Sequence, residues 1–102
     1  MSGTLPISIS PEFVQEFCRK WHVSELSLFG SVLRPDFRAS SDVDFLVAFE
    51  PGRNATLEQW MAMEDELRAL LGREIDLVER RLVVNPFRRH HILTNRQILY
   101  AA

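Results

Sequence analysis

The chain has 102 residues, of which 46% are hydrophobic and 25% are charged, the composition of an ordinary globular domain. Its formal net charge of −2 argues against general nucleic-acid binding, which normally requires a basic excess, although residues 88–91 form a local basic cluster. No apolar run approaches the ~20 residues of a membrane span. We therefore expect a single domain over residues 1–102, without a membrane segment.

The cysteine usage indicates a reducing compartment. Cys18 is the only cysteine, so no intramolecular disulfide can form. Apolar residues, among them Val14 and Phe17, surround it at helical spacing and predict a buried thiol rather than a reactive one. Residues 1–10 lack the charged start and apolar stretch of a signal peptide, and we therefore expect a cytoplasmic protein.

The first 41 residues predict a helix, a strand and a helical turn. Ser10 is a good N-cap and Pro11 suits the first helical position, so a helix begins here and ends near His22. Residues 25–29 (ELSLF) predict a strand, which ends at a Gly-Ser pair. A turn of helix to residue 33 or 34 follows, and then a loop to residue 41.

Residues 42–49 (DVDFLVAF) give the clearest strand, with alternate residues on opposite faces. Thr56 and Gln59 match a capping box, which predicts a helix from there to Gly72. The predicted buried stripe of this helix leaves out Met63 and consists of Leu57, Trp60, Met61, Leu67, Leu70 and Leu71.

The remaining residues predict a strand at 74–79, a short helix from Asn85-Pro86 to about Leu93, and a further edge strand at 98–100. The whole order predicts an α/β or α+β layered domain, with a small mixed sheet of three or four strands flanked by helices. The pattern alone does not fix strand order or direction.

Asp42 and Asp44 are unusual at the start of an apolar strand, because aspartate is a poor strand former. Being two residues apart, they project from one face and would repel each other unless a cation lay between them. Hard oxygen ligands suit magnesium or manganese. Solvent-facing residues at a frayed strand end are the alternative interpretation.

Gly30 and Ser31 lie between a strand and a helical turn. A glycine there lets the backbone approach a ligand closely, and the free N–H groups favour phosphates. By itself, this pair is equally typical of an ordinary tight turn.

The combined spacing resembles a known signature. Leu28-Phe29-Gly30-Ser31, ten residues, and then Asp42-Val43-Asp44-Phe45 are similar to the polymerase β-type nucleotidyltransferase superfamily, and within it to the minimal nucleotidyltransferases, or MNT domains. The resemblance continues through residues 74–78 and 98–100, and it implies the nucleotidyltransferase core fold.

The resemblance implies roles for six residues. Gly30 and Ser31 would hold the β- and γ-phosphates of ATP, while Asp42 and Asp44 would ligate Mg²⁺, with Mn²⁺ as another possible ion. Asp76 would complete the metal site and act as base towards an attacking hydroxyl. Arg34 is placed where it could reach a phosphate, although a solvated surface arginine is an equal alternative.

The resemblance also implies a partner. Stand-alone prokaryotic MNT proteins are typically paired with a helical HEPN toxin and serve as its antitoxin, transferring AMP to a tyrosine of the toxin. We therefore expect a hetero-oligomer. Two alternatives stay open: a non-catalytic antitoxin that neutralises its partner by binding, and a transferase acting on a small molecule or an RNA end.

Two basic pairs carry weaker hypotheses. His90 and His91 are adjacent and would point about 100° apart on a helix, so a surface role is favoured over a shared metal. Arg80 and Arg81 follow the third strand and could contact a nucleotide or an acidic partner.

Overall fold

The computed structural model describes residues 6–102. The prediction that residues 1–10 are not a signal peptide therefore falls partly, at residues 1–5, outside the described part of the chain. It contains three α-helices, four strands and two short 3₁₀ turns. In chain order these are α1 (Pro11–Trp21), β1 (Val23–Phe29), a 3₁₀ turn (Gly30–Leu33), β2 (Val43–Phe49), α2 (Leu57–Leu71), β3 (Ile75–Glu79), a second 3₁₀ turn (Arg80–Leu82), α3 (Pro86–Thr94) and β4 (Gln97–Ala101). No helix in this part of the chain is long and apolar enough to cross a bilayer.

The predicted helix starts are confirmed by side-chain caps. The Ser10 hydroxyl accepts a hydrogen bond from the Phe13 N–H at 3.3 Å, and Thr56 and Gln59 form the reciprocal capping box at 3.1 and 2.9 Å. The Asn85 carboxamide oxygen accepts from two backbone N–H groups of α3 at 3.0 Å each. These caps satisfy donors that a helix start otherwise leaves without partners.

The strands form one mixed sheet in the order β3-β2-β1-β4. β1 is antiparallel to both β2 and β4, whereas β2 and β3 are parallel. The predicted mixed sheet and its fourth, edge strand are confirmed, and the structure adds the order that the sequence pattern left open.

The two faces of the sheet are covered differently. The face packed against α1 and α2, here called the core face, holds the larger apolar cluster, which includes Val14, Phe17, Cys18, Leu26, Leu28, Val43, Phe45, Val47, Met63, Leu67 and Leu77. The opposite face, here called the site face, is covered by the 80–82 turn and α3. Its smaller cluster comprises Phe29, Leu46, Val83 and Ile92.

The predicted buried stripe of α2 was partly wrong. Leu57 is 76% exposed and Met61 is 54% exposed, whereas Met63, which the prediction left out, is completely buried. Residues 61 and 63 lie about 160° apart around a helix, so they cannot both face the sheet. The contact face is centred on Met63 and Leu67, one turn apart.

Cys18 confirms the prediction of a core thiol. Its side chain is fully buried in the core-face cluster. Burial raises the pKa of this thiol from 9.0 to about 12, because the thiolate would lose its hydration. The thiol is therefore a packing group rather than a nucleophile.

Candidate active site

Two strands place aspartates side by side on the site face. Asp44 is the second residue of β2, Asp76 is the second residue of β3, and the two are register partners in the parallel pair. Register partners on neighbouring strands lie about 4.8 Å apart and point to the same face. Asp42, expected within the strand, is an exposed residue just before β2.

The electrostatics of Asp44 reflect a crowded negative site. Partial burial, followed by the negative charges of Asp76 and Asp42, raises the pKa of the Asp44 carboxyl above its usual value. The guanidinium groups of Arg34 and Arg88 act in the opposite direction. The three aspartates therefore interact electrostatically, and an added cation would relieve their repulsion.

Gly30 lies directly against the Asp44 carboxylate. Its φ of +77° is in the left-handed region, and a Cβ atom there would lie 2.2 Å from Oδ2 of Asp44. Only glycine satisfies both the backbone conformation and the contact. The next residue, Ser31, donates its hydroxyl to the backbone oxygen of Asp42 at 3.3 Å, so the Gly-Ser turn is joined to both aspartates.

Arg73, which the sequence analysis did not single out, holds the loop that leads to Asp42. One of its terminal nitrogens, Nη2, donates to the backbone oxygens of Arg38, Ala39 and Ser41 at 2.7, 2.7 and 2.8 Å. The guanidinium carbon also lies 4.6 Å from the centroid of the Phe37 ring. Arg73 follows the Gly72 cap of α2 and precedes β3, so it links this loop to the strand that carries Asp76.

A cleft of about 710 Å³ opens beside these carboxylates on the site face. Its walls come from the 30–33 turn, β2, α3 and the start of β4. The residues that line it are Phe29, Gly30, Leu33, Arg34, Asp44, Arg88, His91, Ile92, Asn95, Arg96 and Gln97. Arg34 and Arg88 in the lining make the cleft suitable for an anionic ligand, whereas Arg96 is paired with Glu25.

The chain matches the nucleotidyltransferase domain family over residues 10–99, nine-tenths of its length. It belongs to this family. The protein adenylyltransferase MntA of Thermococcus cleftensis is 38% identical over 71 residues, which cover 70% of each chain. The prediction from the sequence motif, that this chain is a nucleotidyltransferase enzyme, is thereby confirmed.

Solved structures support the same fold. The structure of a minimal nucleotidyltransferase is 36% identical and superimposes with a TM-score of 0.68, covering 84% of this chain and 85% of the other. The fold is also shared with a chain from the complex of a tri-AMPylated Shewanella oneidensis HEPN toxin with an MNT antitoxin. That likeness has a TM-score of 0.63 at 17% identity and covers 90% of this chain and 70% of the other.

The donor set of the nucleotidyltransferase fits a magnesium ion shared with a nucleotide. Within residues 6–102, no group of three or more His, Cys, Asp or Glu side chains is arranged to hold a metal ion by itself. Magnesium usually takes one or two protein carboxylates and completes its shell with substrate phosphates and waters. Asp44 and Asp76, with Asp42 beside them, offer such carboxylates next to a glycine turn that a phosphate can approach.

The structure brings the six predicted site residues together and adds others. Arg34 ends the 3₁₀ turn and lines the cleft. Arg88 and His91, three residues apart on one face of α3, line it as well. From the sequence, residues 88–91 were identified only as a local basic cluster and His90 and His91 only as an adjacent pair, although the three-residue spacing of Arg88 and His91 was the available signal.

Arg80 and Arg81 are engaged with carboxylates of the same chain. Arg80 forms an ion pair with Glu25 at 3.5 Å, and Arg81 pairs with Glu79. Neither lies in the lining of the cleft beside Asp44. The hypothesis that they contact a nucleotide gains no support from this arrangement.

Proposed function

We propose that this nucleotidyltransferase transfers AMP from ATP to a protein acceptor, using Mg²⁺ held by Asp42, Asp44 and Asp76. One observation carries the proposal. Asp44 and Asp76 are register partners, and the Asp44 carboxylate lies so close to the Gly30 backbone that a Cβ atom at residue 30 would collide with it. A negative site next to a close backbone approach is suited to a metal–polyphosphate group rather than to a neutral ligand.

The Gly30–Leu33 turn supplies the phosphate contacts in this proposal. The backbone at Gly30 and the Ser31 hydroxyl hold the β- and γ-phosphates, with the hydroxyl proton turning from the Asp42 backbone oxygen to the ligand, and Arg34 extends the contact into the cleft. Mg²⁺, when bound, neutralises negative charge on the phosphate oxygens and aligns the attacking and leaving groups. Phosphoryl-type transfer requires mainly such positioning and charge compensation.

The chemical step is a substitution at the α-phosphorus of ATP, in which one P–O bond forms and another breaks. The acceptor hydroxyl oxygen forms a bond to the α-phosphorus of ATP. The bond from that phosphorus to the oxygen bridging the α- and β-phosphates breaks, and pyrophosphate leaves with the electron pair. The Asp76 carboxylate, exposed at the second position of β3, takes the hydroxyl proton. An exposed base suits an acceptor that arrives on another molecule.

A HEPN toxin is the proposed acceptor, with a tyrosine of that toxin as the modified residue and a hetero-oligomer as the working assembly. Two comparisons support this choice. The relative from Thermococcus cleftensis is named a protein adenylyltransferase, and the antitoxin of the Shewanella oneidensis complex is bound to an AMPylated HEPN toxin. The acidic balance of the chain is also consistent with a protein rather than an RNA acceptor.

The test is to incubate the purified protein with ATP labelled at the α-phosphate, Mg²⁺ and a HEPN protein encoded in the same genome. Intact-mass analysis of both chains and peptide sequencing then locate the label. We expect AMP on a tyrosine of the HEPN protein, and no label with Asp44→Asn or with Mg²⁺ removed by a chelator. Asp65→Asn, an exposed carboxylate on α2, is the matched control and should retain full transfer.

The same experiment separates the alternatives. A stable complex that forms without AMP transfer would contradict the enzymatic proposal and favour an antitoxin that acts by binding. Label found on RNA ends or on a small molecule, with none on the HEPN protein, would show that the acceptor is not a protein.

A further inference from the structure

The arginines of the site face divide into engaged and unengaged side chains. Arg80 and Arg96 both pair with Glu25, at 3.5 and 3.0 Å. Arg89 donates to the backbone oxygens of Arg80 and Val83 at 2.8 and 3.3 Å. Each of these three guanidinium groups therefore stabilises the fold of the site face itself.

Arg34 and Arg88 differ from this group. In the part of the chain that the structure describes, neither guanidinium takes part in any hydrogen bond or ion pair with a protein side chain or carbonyl. Both nevertheless line the same cleft, together with Asp44. Both are exposed, and both act on the Asp44 carboxylate only through their charge, by lowering its pKa. Their N–H donors are therefore available to an anionic ligand in the cleft.

The backbone that carries Arg88 is fixed. Its N–H donates to the Asn85 side chain at 3.0 Å within the N-cap of α3, and Ile92 of the same helix is buried in the site-face cluster. Arg34 comes from a different element, at the end of the turn that begins with Gly30. The two arginines therefore reach one cleft from separate, anchored segments.

We propose that Arg88 is a phosphate-binding residue that, with Arg34, clamps the triphosphate of ATP from α3. This assignment rests on the proposed function, because it takes ATP as the ligand. The phosphates would extend from the carboxylates into the cleft, where two guanidinium groups match the planar, bidentate contacts that phosphate oxygens accept. α3 would then be part of the nucleotide site and not only a cover for the sheet.

The experiment measures nucleotide binding without any acceptor. Isothermal titration calorimetry with Mg²⁺ at fixed ionic strength gives the Kd of ATP and of adenosine for the wild type, Arg88→Ala and Arg88→Lys. We expect Arg88→Ala to weaken ATP binding about 10- to 100-fold, as for the loss of a charge-assisted contact, and Arg88→Lys to weaken it less. The affinity for adenosine, which lacks phosphates, should not change.

Arg53→Ala is the matched control. Arg53 is an exposed residue in the loop that follows β2, and it does not line the cleft. Its substitution by alanine removes the same charge as Arg88→Ala. An ATP affinity of Arg88→Ala within twofold of this control would overturn the assignment, as would equal losses for ATP and adenosine. Failure of AMP transfer to the HEPN protein with ATP binding intact would overturn the proposed transfer reaction and leave the assignment of Arg88 standing. A wild type that binds no ATP would overturn both.

Discussion

The two faces of the sheet show how this small domain divides stability and chemistry. The core face is entirely apolar at its centre, with Phe45, Leu28 and Val47 showing no exposed surface. The site face has four buried apolar residues, with Val78 and Leu93 packed against them, and beside this small cluster lie the aspartates and the ion-paired arginines. Successive residues of a strand point to opposite faces, so Asp44 and Phe45 are neighbours in sequence but belong to these different environments.

This difference indicates that the site can be altered without loss of the fold. Hydrophobic burial, the main stabilising term, is concentrated on the core face. The clustered carboxylates of the site face cost stability, because Asp44 is partly buried beside other negative charges. Three predictions test or sharpen this separation.

The largest effect is expected from adjacent substitutions on β2. Phe45→Ala should lower the free energy of unfolding by about 3–5 kcal/mol, because it leaves a cavity in the core face. Asp44→Asn should leave this free energy unchanged or raise it, since the charged form of Asp44 is disfavoured in the folded state. Urea unfolding at pH 7 measures both. A large loss of stability in Asp44→Asn would show that the two faces are not separate.

A smaller effect is expected at two glycines with the same backbone conformation. Gly30 and Gly52 both have φ of +77°, but a Cβ atom at Gly52 meets nothing within 4 Å. Gly52→Ala should therefore cost only the left-handed backbone strain, about 1–2 kcal/mol. Gly30→Ala adds the contact with the Asp44 carboxylate, about 1–3 kcal/mol more, and displaces that carboxylate.

AMP transfer and thermal unfolding of the two variants provide the measurement. Transfer should fall at least tenfold in Gly30→Ala and stay near wild type in Gly52→Ala. Equal activities in both variants would show that the close contact between Gly30 and Asp44 has no part in function.

The smallest effect concerns pH and the core face. The pKa of Cys18 is about 12 in the folded protein, above the 9.0 of an unhindered thiol, so its contribution to stability is full below pH 9 and is lost as pH rises towards 12. Between pH 8.5 and 10.5, the wild type should lose stability more steeply than Cys18→Ala in urea unfolding. If the free energies of unfolding of the two proteins fall in parallel as the pH rises, the raised pKa of Cys18 is contradicted. At pH 8, a thiol reagent should react only after denaturation.

The elements of this fold could be predicted because their signals are local. Ser10, the Thr56–Gln59 box and Asn85 cap the helices where the sequence places them. The buried face of α2 could not be predicted as accurately, because apolar residues lie on several sides of this helix. Only the position of the sheet decides which of them are covered. Met63 was left out for this reason, although it is fully buried.

The site was predictable to the extent that its residues are close in sequence or match a motif. Asp42, Asp44 and the Gly-Ser pair lie within 15 residues of one another, and Asp76 follows from the family pattern. Arg73 and Arg88 were missed because their roles depend on tertiary placement: one reaches backbone oxygens more than 30 residues away, and the other lines a cleft. No capping rule encodes such contacts, and the helical spacing of Arg88 and His91 indicates a shared face but not the cleft that this face lines.

The three backbone contacts of Arg73 have a consequence for protein engineering. The loop before Asp42 has only short turns of its own, and a side chain from another segment holds three of its backbone oxygens. Transplanting residues 34–42 into a related scaffold would transfer the internal turns of the loop but not the contacts that tie it to the rest of the domain. A functional graft would have to include the arginine at the α2–β3 junction, which makes two distant segments a single unit of exchange.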